Sequence, residues 1–236
     1  MRGMMRALGV VVGTALWASA PGGDRPGENT GPLGLRVSEY EVRAVSMADA
    51  LRQLRARVQT GKLVLTLEVA PFEQEPDKNL TLAVGHGTVR EVLQRLIALD
   101  PRYTYRIVGS EIVHVFPAAA SKDPRDLLNI KVKSFSISQT NFDLLLKYPH
   151  HYIPELAAEL ARRSKTGESV GHTMGNVDVP RVSIHLEHTS VRDILNEVAR
   201  RAAAVSKSQQ IPTGWVYTFR VDKSIPLGGH PFWELL

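Results

Sequence analysis

Histidines are the side chains of this sequence most suited to chemistry, and most of them lie in its second half. The run His-Leu-Glu-His at residues 185–188 resembles a metal-binding spacing. On a strand, however, His185 and Glu187 share one face while His188 points to the other. The His-Glu-x-x-His site of zinc proteases requires a helix, so this run does not predict such a site.

A metal site assembled from separate loops is the alternative. His151, next to His150, and His172 fall in regions that read as turns, and together with His188 they form a conceivable three-histidine set. Three-ligand metal sites normally bring recognisable spacing and supporting partners, which are not apparent here. We therefore expect no metal and no cofactor.

Signatures of other catalysis are also missing. The chain has no cysteine, which removes thiol catalysis and cysteine-based metal sites. It contains no Gly-x-Ser-x-Gly elbow, no Ser-x-x-Lys placed on a helix, no phosphate loop and no dinucleotide fingerprint. The acids that stand out have another explanation, given next, so no glycosidase pair is indicated. The sequence predicts a protein that is not an enzyme, with no residue assignable as catalytic, cofactor-binding or metal-binding.

The elements that hold these residues are indicated by a repeated helix start. A hydroxyl residue is followed three positions later by an acid, and an apolar helical stretch begins there. In this pattern the hydroxyl caps the helix, and the acid lies favourably at the positive end of its dipole. The four pairs are Ser46 and Asp49, Thr88 and Glu91, Thr140 and Asp143, and Ser190 and Asp193.

A longer match shows that the pattern is a duplication. Residues 80–93 and 182–195 both read as an alternating strand, a short turn, a cap and then Val-Arg-acid-aliphatic-Leu. The first and third caps, like the second and fourth, are separated by about 100 residues, so the unit is a pair of helices used twice.

Domain boundaries follow from composition. Residues 1–20 have arginines, a short apolar run and a small-residue end, which predicts a signal peptide cut after Ala20. Residues 21–32 and 118–129 read as linkers, the first of them disordered. Domain 1 is then 33–117 and domain 2 is 130–236. Because no cysteine follows the apolar run, we expect a soluble periplasmic or secreted product. The formal net charge of +5 includes two arginines of the expected signal peptide, and the remaining excess lies in the second half. No concentrated basic face with interleaved aromatics is apparent, so we expect no nucleic-acid binding.

Hydrophobic periodicity gives the first domain the order β-α-β-β-α-β-β. Helices begin after Ser46 and Thr88, and strands alternate around Leu65, Leu82 and Tyr105. Two amphipathic helices must then cover the apolar faces of small sheets. The fold class is α+β, as two tandem small domains, each with two helices packed between small β-sheets.

These residues resemble the secretin and TonB short N-terminal (STN) domain family. The resemblance rests on Val-Ser-Met-Ala-Asp-Ala-Leu-Arg-Gln-Leu at 45–54, Thr-Val-Arg-Glu-Val-Leu at 88–93 and Tyr-Arg-Ile-Val-Gly-Ser-Glu-Ile-Val at 105–113. It covers about residues 38–117, and the second half resembles the family more loosely. The resemblance implies a periplasmic domain that docks another envelope protein through exposed faces and edge strands. From these residues we expect paired domains without the ring, plug or barrel region of those architectures.

The second half keeps the pattern with changes. Pro149 and Pro154 should break its first helix in two, and residues 164–180 read as a loop. Its final hairpin is not clear, and the Phe232-Trp233 tail is either part of the core or a contact site. The basic pairs at 162–163 and 200–201 suit helix C-termini, although an acidic partner or a lipid headgroup is possible for them.

Three functions remain open at this point. The favoured one is a non-catalytic docking or adaptor protein serving an envelope secretion, transport or signalling assembly, with an outer-membrane or inner-membrane component as its partner. A second is a periplasmic binder of a small ligand or peptide, which requires several aromatics to be exposed together. The aromatics in question are Tyr103, Tyr105, Trp215, Tyr217 and Trp233. A hydrolase with an unrecognised site is the third.

Overall fold

The structure is a computed structural model that describes residues 31–58, 63–69, 78–163, 179–206, 214–221 and 229–235. Within residues 219–221 and 229–235, as at residue 121, only the backbone is described. The expected signal peptide, the first linker apart from its last two residues, the expected loop at 164–180 apart from its last two residues, and His172 lie outside the described residues.

Strands and helices alternate in the described residues much as the sequence predicts. The strands are β1 (Arg36–Val45), β2 (Val64–Glu68), β3 (Leu80–Thr88), β4 (Tyr103–Val108), β5 (Ile112–Pro117), β6 (Lys131–Asn141), β7 (Arg181–Ser190), β8 (Trp215–Val221) and β9 (Gly229–Leu235). The helices are α1 (Met47–Arg57), α2 (Val89–Leu99), α3 (Phe142–Lys147), α4 (Pro154–Arg163) and α5 (Val191–Val205). The α+β class is confirmed. Among these described helices, none has the length and hydrophobicity of a membrane span.

Three of the four predicted helix caps are confirmed. The side chains of Ser46, Thr88 and Ser190 each accept a hydrogen bond from the backbone N–H of the acid three residues on. The prediction for Thr140 is wrong. Asn141 caps α3 by accepting from the Asp143 N–H at 2.9 Å, while Thr140 still belongs to β6.

The reason for that error is that Asn141, itself a favoured cap residue, directly follows Thr140. The register of β6 against β7 changes between Ile137 and Thr140, and Gln139 has a φ of 48°. Thr140 still pairs with Val182 after this bulge, so the helix begins only after Asn141. The predicted break of the helix is confirmed, because α3 ends at Lys147 and α4 begins at Pro154 after a 3-10 turn at Pro149–His151.

The same bulge occurs in the first half. The register of β1 against β3 shifts between Val42 and Val45, with Ala44 at a φ of 51°. The Ala44 N–H donates to Thr81 Oγ1 at 3.0 Å, and in the second half the Gln139 N–H donates to Ser183 Oγ at 3.0 Å. Thr81 and Ser183 occupy equivalent places in the two sequence copies. The duplicated sequence is therefore accompanied by a duplicated backbone irregularity.

The two halves share one sheet. β1–β3 and β6–β7 are separate two-stranded ribbons, but the remaining strands form a five-stranded sheet in the order β4-β5-β2-β8-β9. β2 pairs in parallel with β5 from its own half and with β8 from the other half. The expectation of small sheets confined to each half therefore differs from the structure at the β2–β8 junction. The domain boundaries themselves stay a prediction.

This sheet separates two hydrophobic cores. One core joins β1, β3, α1 and α2 to the face that carries Leu65, Leu67 and Val216. The other joins the second ribbon and α3 to α5 to the opposite face, which carries Val64 and Trp215. Since successive residues of a strand point to opposite faces, every residue of β2 is buried, polar ones included. The sheet thus brings polar side chains of the first half against helices of the second.

The C-terminal hairpin, which was unclear from the sequence, forms one edge of the shared sheet. The tail that contains Phe232 and Trp233 is strand β9, which pairs antiparallel with β8 along its whole length. The unclear hairpin is therefore present. Leu127 and Leu128, at the end of the segment read as a linker, are fully buried in the second core.

Candidate functional site

A buried polar cluster lies where the two halves meet. Thr66 and Glu68 on β2 and His114 on β5 project from the same face of the shared sheet, because Thr66 and His114 are register partners on parallel strands. Arg192 and Asn196, one turn apart on α5, cover that face. All five side chains are among the buried polar groups of the protein.

The centre of the cluster is an ion pair between Glu68 and Arg192. Arg192 Nη2 donates to Glu68 Oε2 at 2.9 Å, and Arg192 Nε donates to Glu68 Oε1. The two side chains are 2% and 6% exposed. This fork-to-fork contact joins the first half to the second with charge-assisted hydrogen bonds, which are stronger than neutral ones.

The segment between the halves completes the coordination of Arg192. Its Nη2 also donates to Asp126 Oδ2 at 3.1 Å, and its Nη1 donates to Asn129 Oδ1. Asp126 caps the 3-10 turn Leu127–Asn129 by accepting from the Leu128 N–H at 2.9 Å. Arg192 therefore contacts both halves and the chain that connects them.

His114 extends the cluster through its two ring nitrogens. Nε2 lies 2.8 Å from Glu68 Oε1, and Nδ1 lies 2.7 Å from Thr66 Oγ1. Thr66 Oγ1 lies 3.2 Å from Asn196 Oδ1. A carboxylate only accepts hydrogen bonds, so we assign the proton of the neutral imidazole to Nε2, with Nδ1 accepting from the Thr66 hydroxyl.

The charges of the cluster follow from burial and pairing. Burial lowers the pKa of His114, and the hydrogen bond to Glu68 does not restore it, so the ring is neutral at pH 7. Burial alone would raise the pKa of Glu68, but hydrogen bonds from His114 and Arg192 outweigh it and the pKa lies below its ordinary value. Burial raises the pKa of Asp126 to about 6.

Aromatic rings enclose His114 on the remaining sides. Phe116 stacks on the imidazole with ring centroids 5.1 Å apart, and Trp215 of β8 lies tilted at 5.4 Å. Trp215 Nε1 is buried without a hydrogen-bond partner among the described residues. The imidazole is fully enclosed by β2, β5, β8 and α5.

The order carboxylate, histidine, hydroxyl is also that of a hydrolase triad. Here, however, both Thr66 and His114 are fully buried, so a substrate could reach the hydroxyl only after the halves separate. In the closed state the arrangement is suited to fixing α5 at one position and register on the sheet. We therefore describe Thr66, Glu68, His114, Arg192 and Asn196 as the junction cluster.

A shallow groove of about 240 Å³ lies on the surface beside this cluster. It runs between the β4–β5 hairpin, β7 and α5. Its lining residues are Val108, Ile112, Leu186, Thr189, Asp193, Asn196, Glu197 and Arg200. Asn196 belongs both to this groove and to the junction cluster, so the groove adjoins the buried network.

The histidines and acids singled out in the sequence lie elsewhere. His185 Nε2 is 3.3 Å from Glu187 Oε1 on the exposed face of β7, in keeping with their shared side of the strand. His150 and His151 form an edge-to-face pair with centroids 4.4 Å apart. Among the described residues, no three histidines or carboxylates are arranged to hold a metal ion. His172 lies outside those residues.

The basic pairs and the aromatics also have local explanations. Glu159 pairs with Arg162 and Arg163, and Glu197 pairs with both arginines at 200–201. Tyr103 belongs to the first core, whereas Trp215 and Tyr217 belong to the second. Tyr105 is partly buried against the first core, and the Trp233 side chain is outside the description. The described aromatics are thus divided between two cores instead of lining one crevice.

The sequence reading missed the junction cluster. Its signal was present, because Thr66 and Glu68 alternate with leucines in a short strand and His114 interrupts the apolar run 112–116. Arg192 and Arg90 hold the same place in the Val-Arg-acid repeat, yet Arg192 is buried and Arg90 is exposed. Only the packing of α5 on the shared sheet distinguishes them.

Comparison of the chain with protein-family models, curated proteins and solved structures found no match.

Proposed function

We propose that this chain is a non-catalytic docking protein of the cell envelope, exported to the periplasm and built from two STN-like repeats. Its partner in this proposal is an envelope assembly protein that presents an extended segment. The observation that carries the proposal is the edge of the shared sheet at β4, which pairs with no further strand among the described residues, because an unpaired strand edge can accept a strand from a partner.

The backbone of β4 indicates which groups a partner would meet. The Ala118 N–H donates to the Arg102 carbonyl at 2.9 Å, so residue 102 faces inward toward β5. Alternation in an antiparallel ladder then turns the peptide groups of Tyr105 and Ile107 outward. The Ile107 side chain is 37% exposed, and no described strand pairs with this edge.

A crosslinked pull-down from native envelope extract tests the docking role. We expect one dominant envelope protein with the native bait and with Ile107→Val, which keeps the edge N–H. Ile107→Pro removes that outward donor without breaking the ladder to β5, and should lose the partner while circular dichroism shows it folded. Leu51→Asp with Leu93→Asp places charges in the first core and serves as the unfolded bait.

The outcomes separate the parts of the proposal. A blank with good yield of folded bait would remove the docking role. Equal capture by Ile107→Pro would remove β4 as the docking edge. Export is checked separately by the mass of the protein isolated from its host, which should begin at Pro21.

The groove beside Asn196 favours a second candidate, a binder of a small ligand or peptide. Its volume of about 240 Å³ is that of a small side chain or fragment. Thermal-shift screening of amino acids and dipeptides against the chain would detect such binding. Stabilisation that is lost in Glu197→Gln would support this candidate over docking.

A further inference from the structure

The hydrogen bonds around Thr66 cannot all be made with one set of proton positions. The hydroxyl has a single proton, yet Thr66 Oγ1 lies 2.7 Å from His114 Nδ1 and 3.2 Å from Asn196 Oδ1, both of which can accept it. If the hydroxyl proton is donated to His114 Nδ1, Asn196 Oδ1 and Thr66 Oγ1 are two facing acceptors with no proton between them. The Asn196 Nδ2 meanwhile has no partner among the described residues.

Two arrangements of protons satisfy the hydrogen bonds among His114, Thr66 and Asn196, and they differ by one proton. With neutral His114, the Thr66 hydroxyl donates to Nδ1, and an Asn196 amide turned by half a rotation donates from Nδ2 to Thr66 Oγ1. With protonated His114, Nδ1–H donates to Thr66 Oγ1, and the hydroxyl donates to Asn196 Oδ1 as the amide now stands. In both arrangements Nε2–H donates to Glu68.

We propose that His114, Thr66 and Asn196 form a proton-operated switch at the junction of the two halves, in which a proton taken up at His114 Nδ1 reverses the Thr66 hydroxyl and turns the Asn196 amide. The proton comes from solvent, and no covalent bond other than N–H is made or broken. The inference does not depend on the docking role.

Charged groups from several elements set the balance of the switch. Glu68 on β2 favours the protonated ring, whereas Arg106 on β4 and Arg192 on α5 oppose it. Asp126 in the connecting segment is bound to Arg192 and moderates its charge. Because the ring is also fully buried, the pKa of His114 lies below the ordinary histidine value.

The switch acts directly beneath the surface, through Asn196. This residue is 1% exposed, yet it lines the groove formed by the β4–β5 hairpin, β7 and α5. Whichever amide atom faces Thr66, the other points away from it. As the amide stands, Nδ2 points away from Thr66 and is buried without a partner among the described residues, so protonation of His114 replaces an acceptor by a donor beneath the wall of the groove.

Nuclear magnetic resonance of the labelled chain tests this coupling directly. Between pH 4.5 and 8 we expect the side-chain NH₂ signals of Asn196 to shift with the same midpoint as the His114 ring, below pH 6.5. Gln94, which holds the equivalent and exposed position on α2, is the internal control and should not follow that midpoint. A constant Asn196 signal while His114 titrates would overturn the proposal.

Thr66→Val breaks the relay while leaving both ends in place. In this variant His114 should still titrate, but Asn196 should lose its pH-dependent shift. Thr104→Val, on β4 of the same sheet, should retain it. Persistence of the Asn196 transition in folded Thr66→Val would also overturn the relay. If that variant does not fold, the agreement or disagreement of the two midpoints in the native chain decides the question.

Discussion

Removal of the Arg192 guanidinium should destabilise the whole protein, by an amount that depends on pH. In Arg192→Met, Glu68 remains 2% exposed and keeps only His114 as a side-chain partner. Without Arg192, the Glu68 carboxylate can avoid being buried as a charge by binding a proton. At pH 7 that protonation costs about 3.7 kcal/mol for a carboxyl with an ordinary pKa of about 4.3, which agrees with the ~3–5 kcal/mol typical of breaking a buried pair.

The same reasoning predicts that the loss becomes smaller in acid. At pH 5 the protonation of Glu68 costs only about 1 kcal/mol. In the native chain Glu68 stays ionised at that pH, because its pKa is held below the ordinary value. The folded variant, with its raised Glu68 pKa, therefore recovers stability relative to the native chain as the pH falls from 7 to 5.

Urea denaturation followed by circular dichroism measures both effects. With a slope of about 2 kcal/mol per M, the midpoint should fall by about 2 M at pH 7 and by about 0.5 M at pH 5. Arg90→Met, at the equivalent but exposed position of α2, should change stability by no more than about 0.5 kcal/mol. An equal loss for Arg192→Met at both pH values, or a similar loss for Arg90→Met, would refute the reasoning.

Three further predictions concern other features. Burial raises the pKa of Asp126 to about 6, so its ionisation opposes folding as the pH rises from the unfolded pKa of about 4 through that value. Asp126→Asn should therefore gain about 1.4 kcal/mol relative to the native chain between pH 5 and pH 8, measured by urea midpoints. Asn141→Ala should cost about 1 kcal/mol in thermal unfolding and Thr140→Ala clearly less, because Asn141 is the cap of α3. Thr81→Val and Ser183→Ala should each lower the free energy of unfolding in urea by about 0.5–1.5 kcal/mol, because each removes the acceptor for a bulge N–H. A variant as stable as the native chain would contradict that role.

The local structure could be predicted from sequence because it depends on neighbours. The caps at Thr88 and Ser190 and the break at Pro149 depend on groups within a few residues, which a pattern can indicate. The prediction for Thr140 was wrong because the next residue, Asn141, is also a favoured cap. Only the structure shows that Asn141 lies two residues after its bulge, as Ser46 does in the first half.

The junction cluster could not be predicted, since it depends on long-range pairing. An alternating strand such as β2 ordinarily has one face toward solvent, and Thr66 and Glu68 suit that reading. The β2–β8 pairing instead places the second half on that face. The sequence repeat also suggested that Arg90 and Arg192 are equivalent, whereas Arg192 is buried between α5 and the shared sheet and Arg90 is exposed.

The sharing of β2 between the halves has a consequence for the order of folding during synthesis. The contact of Glu68 with Arg192 joins residues 124 apart, and that of Thr66 with Asn196 joins residues 130 apart. The first half therefore leaves the ribosome long before its covering helix and strand exist. Non-local contacts of this kind form slowly, and an uncovered apolar face would invite aggregation in the interval. Thr66, Glu68 and His114 are polar groups on that uncovered face, so we expect the groups that later join the halves also to keep part of the face hydrated until then.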